Sequence, residues 1–290
     1  MPPVASAGPR SSSSDPARNS AADYVARLDR WLADRTSASG LDVADGTPPM
    51  FHPCTPRGME PADRIVVSPP AQYSAVDGMP TDWHPVHLGG RAVGGAGLAM
   101  TETTCTSPDA RITPGCPGIG NDEQAAAWAR TVDFVHANSD AKIGVQLGHA
   151  GRGGSTKVMW QGVDDPRRGR LGDRRPVAGP PPVRRRGPAG DDARRHGTGD
   201  RRPRRRRPTR GDRIPQETGV PTMTVGAIAS AEDANTIIAA GRAALCCLAR
   251  PHLVDPYRTL DAAIEQDYRG HVPPKRYRPG RGARRRAQEP

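Results

Sequence analysis

Large apolar and aromatic side chains are scarce in this chain. Of its 290 residues 35% are apolar and 4% aromatic, while glycine and proline number 33 and 32. A core spread evenly over the whole length is excluded, because part of the chain has too little to bury. Cysteine is also thin. The five residues Cys54, Cys105, Cys116, Cys246 and Cys247 form no CxxC pair and leave an odd one. That argues against a zinc site and a disulfide framework, and for a reducing compartment with no metal. No run approaches the ~20 apolar residues of a membrane span. The first residues, MPPVASAGPRSSSSDP, lack the apolar core of a signal peptide. The expectation is a cytoplasmic protein without a membrane partner.

The charge is localised. The chain carries a net +11, which by itself suggests a nucleic acid or an anionic surface. Between Asp164 and Arg213, however, 18 Arg stand against 7 Asp, with no Lys or Glu. This segment holds the entire excess, and the rest of the chain is neutral. Arginine-rich segments bind polyanions electrostatically, yet no aromatic is interleaved here for base stacking. Nonspecific adhesion is expected, not a specific nucleic-acid partner.

In chain order, residues 1–45 read as a Ser/Pro/Ala-rich linker. A short helix from Ala21 to Arg35 is marked by Tyr24, Leu28, Trp31 and Leu32 on one face. Residues 46–162 are the coherent part. Ile65-Val66-Val67 is a β-branched run ending at Ser68-Pro69-Pro70. A helix spans about His84 to Val93, and Gly94-Gly95 ends it. A second strand covers Leu98 to Glu102. Strand, helix and strand make a βαβ unit with parallel strands. Asn121 caps a helix from Asp122 to Ala137, with Gln124 at N3 and Trp128, Val132 and Val135 on one side. Ile143 to Leu147 alternates as a third strand. Residues 163–213 are low-complexity and basic, and cannot bury a core. Over residues 214–280 order returns. Thr222 to Val225 is a strand ending in Gly226, Ser230 and Asp233 cap a helix, Ala244 to Leu248 is a strand, and Asp255-Pro256 opens a helix. Residues 281–290 complete a basic tail.

Several separated motifs occur in one order: Arg64-Ile65-Val66-Val67-Ser68-Pro69, Tyr73, His87-Leu88 with Arg91-Ala92 and Gly94-Gly95, and Gln146-Leu147-Gly148-His149-Ala150-Gly151-Arg152. Together they resemble the old yellow enzyme family of flavin-dependent NAD(P)H oxidoreductases. The resemblance is nearest to the old-yellow-enzyme-like half of salicylyl-CoA hydroxylase-type fusions. It implies an α/β fold, a (β/α)8 TIM barrel of which strands 1–3 and 7–8 are recognisable, with FMN and NAD(P)H as cofactors. Hydride would pass from NAD(P)H through the flavin to an electron-poor alkene or similar small-molecule substrate.

The resemblance also assigns the site. Ser68, Pro69, Pro70 and Ala71 would lie against the flavin, although Pro70 has no N–H and Ala71 no hydrogen-bonding side chain. Tyr73 would line the substrate pocket. Thr103 and Gln146 would meet the pyrimidine edge of the flavin, an amide offering both donor and acceptor. His149 and Arg152 would serve the site or merely order their loop. Gly226 and Ala227, with Ala249 and Arg250, match the phosphate site of parallel barrels. Phe51 would help to close the bottom.

Part of the family pattern has no counterpart. A full barrel takes about 250 residues, near thirty per βα unit, so three further units need about 90. Residues 163–213 offer about fifty, few of them apolar. The His/Asn pair and Tyr donor expected from strand 4 find no match, and His196 stands alone in the Arg run. Impaired activity is expected. An inactive truncated or frameshifted product is the alternative, since GC-rich DNA read out of frame yields mostly Arg, Pro, Gly and Ala.

Overall fold

A computed structural model describes residues 43–151, 154, 156–161, 214, 215 and 217–280, together with Arg30 and Asp34. The expectations for the 21–35 helix, for residues 163–213, for Arg152 and His196, and for the tail 281–290 lie outside the described residues.

Five strands form one parallel sheet. They are β1 (Ile65–Val67), β2 (Leu98–Cys105), β3 (Lys142–Gly148), β4 (Met223–Val225) and β5 (Leu245–Leu248), in the order β3-β2-β1-β5-β4. The helices are α1 (Trp83–Val93), α2 (Asp122–Asn138), α3 (Ala231–Ala239), α4 (Arg250–Val254) and α5 (Arg258–Glu265). Sequence-distant strands β1 and β5 are paired, Val66 against Cys247, so the two ordered parts of the chain share one sheet.

The period of two in each strand divides the core. Ile65, Cys246 and Leu248 point to one side and pack on Ala234 and Ile238 of α3 and Ala262 and Ala263 of α5. Val67 and Ala99 meet Leu88 of α1 and Trp128 of α2 on that same helix-bearing side. Val66, Leu98, Leu245 and Cys247 point the other way and pack with Cys54. At roughly 25 cal/mol per Å² of apolar area removed from water, such burial is the main favourable term.

Local signals set most boundaries. The Asn121 side chain accepts the Gln124 N–H and starts α2. Gln124 reaches back one residue further than expected, its Oε1 accepting the Gly120 N–H. Ser230 and Asp233 form a full capping box on α3. Gly95 follows α1 with φ +95°, and the N–H groups of Gly95 and Ala96 bond Ala92 and Arg91 carbonyls. This left-handed turn ends the helix where the sequence has two glycines. Asp63 pins the starts of β1 and β2. Its buried Oδ1 accepts the N–H groups of Ile65 at 2.8 Å and Gly97 at 3.0 Å.

Two boundaries and one buried face differ from the sequence reading. Strand β2 runs on through Cys105, three residues longer than expected, because its register against β3 shifts between Met100 and Thr103 and pairing continues beyond the bulge. Helix α5 starts at Arg258, not at Pro256. The Asp255 carboxylate accepts the Tyr257 N–H and closes a turn first, and the short α4 precedes it. On α2 the buried positions are Gln124, Trp128, Thr131 and Val135, so Thr131 takes the place expected of Val132. Phe51 is buried and stacks on Tyr268, ring centroids 4.5 Å apart.

Both outer strands of the described sheet leave apolar side chains in water. Val145 and Leu147 on β3 are 43% and 60% exposed, and Met223 and Val225 on β4 are 52% and 66% exposed.

Candidate active site

In a parallel sheet the carboxyl ends of all strands lie at one edge, where loops build binding sites. Ser68 to Tyr73, Thr103, Gln146, His149, Gly226, Ala227, Ala249 and Arg250 lie in the carboxyl-terminal half of a strand or in the segment after it. Ser68 follows β1, is buried, and donates its N–H to the Leu248 carbonyl of β5. Pro69 and Pro70 are half-buried and Ala71 is exposed. Tyr73 has φ +56°, a left-handed conformation uncommon for a bulky residue. Its ring meets Trp160 edge-on, centroids 5.3 Å apart.

Thr103 and Gln146 come together. The Thr103 hydroxyl donates to Gln146 Oε1 at 3.1 Å, and the two residues are register partners on β2 and β3. The bulge in β2 produces this match. The Gln146 N–H is held by the Thr101 hydroxyl at 3.1 Å. Its Oε1 is thus engaged, and the Gln146 residue is exposed.

Two turns follow the neighbouring strands β4 and β5. Gly226 (φ +118°) and Ala227 (φ +54°) are both left-handed. Ala249 is the N-cap of α4, and Arg250 beside it is exposed. Val225 and Cys247 pair directly, so the turns are adjacent. A left-handed backbone is natural for glycine, whereas at Ala227 it costs on the order of 1 kcal/mol. His149 orders its own loop, its Nδ1 accepting the Gly151 N–H at 3.0 Å.

The thiols are not poised to react. Burial pushes Cys246 up to about 12 and Cys247 up to about 11, so both stay protonated. Among the described residues no group of His, Cys, Asp or Glu is placed to hold a metal. No helix of the described residues is long and apolar enough to cross a membrane.

The sequence reading passed over Trp160, His84 and Glu102. Trp160 lies beyond the last motif, and nothing in its neighbours points to Tyr73. Glu102 is a carboxylate inside a strand, a visible signal, but its partners come from the distant loop 72–84.

The model of the NADH:flavin oxidoreductase / NADH oxidase family matches residues 49–167. An NADH:flavin oxidoreductase of Gibberella zeae is 42% identical over 119 residues, which are 41% of this chain and 29% of that protein. Residues 49–167 are similar to that family. An NADPH dehydrogenase of Bacillus cytotoxicus is 40% identical over 105 residues, 36% of this chain and 30% of that protein. Among solved structures, morphinone reductase is 32% identical with a TM-score of 0.35, covering 38% of this chain and 29% of that one. The old yellow enzyme of Trypanosoma cruzi is 28% identical with a TM-score of 0.34, covering 37% and 28%. The chain thus spans less than a third of the length of these family relatives. The matched segment carries Ser68, Tyr73, Thr103 and Gln146 and ends before β4 and β5.

Proposed function

We propose that this chain carries the flavin site of an FMN-dependent NAD(P)H oxidoreductase of the old yellow enzyme type. In this reading residues 46–162 and 214–280 are two pieces of one (β/α)8 barrel. Strands β1 to β3 are its first three staves, and β4 and β5 are its seventh and eighth. The observation that carries it is the hydrogen-bonded pair Thr103 and Gln146 at the carboxyl edge of the sheet, inside the segment shared with the family.

The side chains suit FMN. The pyrimidine edge of the flavin alternates acceptors with one N–H, and the exposed Gln146 amide complements such an edge. At the other end the left-handed turn at Gly226 and Ala227 and the exposed Arg250 suit a phosphate, a guanidinium fork matching the anion. Ser68, Pro69, Pro70, Ala71 and Ala249 would supply backbone walls. Bound FMN supplies hydride acceptance from NAD(P)H and hydride donation to an electron-poor acceptor. Tyr73 and Trp160, edge to face, form an aromatic wall against which a planar substrate packs.

Turnover in this chain is slow in this reading. The paired His/Asn donors of strand 4 have no match in the sequence, so nothing polarises the acceptor, and orientation alone gives part of the rate. A second reading, an inactive product lacking its middle strands, draws support from the bare Leu147, Met223 and Val225 at the sheet margins. Titration of the purified full chain with FMN, followed by flavin fluorescence and by NAD(P)H oxidation, separates the two. Saturable binding with slow oxidation supports the oxidoreductase. No binding at ~100 μM FMN, an affinity weaker than about −5.5 kcal/mol, refutes it.

A further inference from the structure

Glu102 of β2 is 4% exposed and lies at the bulge, one residue before Thr103. Burying a carboxylate is costly unless its oxygens are bonded. Its Oε2 accepts the backbone N–H of Gln72 at 2.9 Å. Its Oε1 lies 3.4 Å from Nε2 of His84, whose side chain is 2% exposed. His84 Nδ1 meets the Thr81 N–H at 2.9 Å and the Thr81 carbonyl oxygen at 3.1 Å, which anchors the ring to the turn before α1. The 3.4 Å approach of Oε1 to Nε2 is an ion-pair contact, and neither of these two buried atoms makes a hydrogen bond among the described residues. Trp128 holds the imidazole edge-on at 5.2 Å. From the outside, Trp83 Nε1 donates to Gln72 Oε1 at 3.0 Å.

Strand β2 and helix α1 therefore meet at Gln72, β2 through Glu102 on its backbone N–H and α1 through Trp83 on its side chain. Gln72 joins Ala71 to Tyr73, whose left-handed backbone gives the loop its shape. We propose that Glu102, oriented by His84, is a positioning residue that fixes the loop 68–73 as one wall of the flavin site. This rests on the flavin reading for what the wall faces, though not for the loop being held. A carboxylate suits the task because its Oε2 is a charged acceptor for the Gln72 N–H while its Oε1 faces the buried His84 ring.

The experiment is hydrogen exchange by mass spectrometry on the full chain, wild type against Glu102→Gln, with FMN titrated into both. Glutamine keeps the shape but replaces the charged acceptor of the Gln72 N–H by a neutral one. Amides of residues 71–76 should exchange about tenfold faster or more, as for a weakened charged hydrogen bond, while β1, β5 and α2 keep wild-type protection. FMN affinity should drop about fivefold or more with it. Unchanged exchange in 71–76, or equal acceleration in every peptide, overturns the proposal. If Glu102→Gln does not fold, Glu102→Asp, which keeps the charge and shortens the reach, must loosen the same peptides. A wild type that binds no FMN while Glu102→Gln still frees the loop supports the positioning role and sinks the flavin reading instead.

Discussion

Replacing Asp63 by Asn should flatten the pH dependence of stability on the alkaline side. The Asp63 side chain is fully buried, and burial, partly offset by the Ile65 and Gly97 N–H groups, carries its carboxyl from the ordinary 3.8 up to about 8. His271 Nδ1 lies 3.8 Å from Oδ2. Between pH 4 and 8 the unfolded chain has released this proton and the folded chain has not. Stability therefore falls as pH rises through that window and levels off above the folded value. At ~1.4 kcal/mol per decade of proton affinity the full effect is on the order of 5 kcal/mol. Water entering around the ionised carboxylate reduces it, leaving roughly 2 kcal/mol or more between pH 5 and 8. His87 and His252 act in the opposite sense. Burial lowers them to about 3 and about 4, so they remove stability as pH falls below ~6.5. Asparagine keeps an oxygen for both N–H groups and cannot ionise. The difference between Asp63→Asn and wild type thus isolates Asp63. Urea unfolding at half-unit steps from pH 5 to 8.5 should show the variant gaining about 1 M in midpoint on the wild type. Profiles that run parallel across this range would refute the reasoning.

The other predictions concern the site and its support. Gln146→Leu should weaken FMN binding about tenfold or more, for the loss of a donor and acceptor in a dry setting, with an unchanged melting temperature since the side chain is exposed; isothermal calorimetry measures it. Arg250→Ala should lower affinity for FMN but not for riboflavin, and should weaken the salt dependence of FMN binding; equal losses for both ligands would place Arg250 away from the phosphate. Gly97→Ala should destabilise the fold by roughly 2 kcal/mol or more, because its Cβ would run into the Asp63 backbone; a wild-type melting curve would contradict the packing described.

The elements that were legible in the sequence are those with local causes. Ile65-Val66-Val67 is a strand because three β-branched side chains suit a sheet buried on both faces. Ser230 and Asp233 cap α3 because both bonds close within four residues. Gly94-Gly95 ends α1 because its turn needs a left-handed residue. What was not legible depends on distance. The bulge that lengthens β2 is a matter of register with β3, and no residue in Thr101 to Cys105 announces it. The turn at Asp255 delayed α5 because a side chain able to cap can also close a turn, and the sequence does not choose between them.

The same division runs through the site. Order along the chain carried the likeness of residues 49–167 to that family and singled out Ser68, Tyr73, Thr103 and Gln146, because those motifs are contiguous. Only the tertiary structure decided that β5 lies beside β1, that Thr103 bonds Gln146, that Trp160 meets Tyr73, and that Glu102, buried beside His84, accepts the Gln72 N–H. Each of these joins residues tens of positions apart, and such contacts form only when burial of the intervening core offsets the entropy of closing the loops between them.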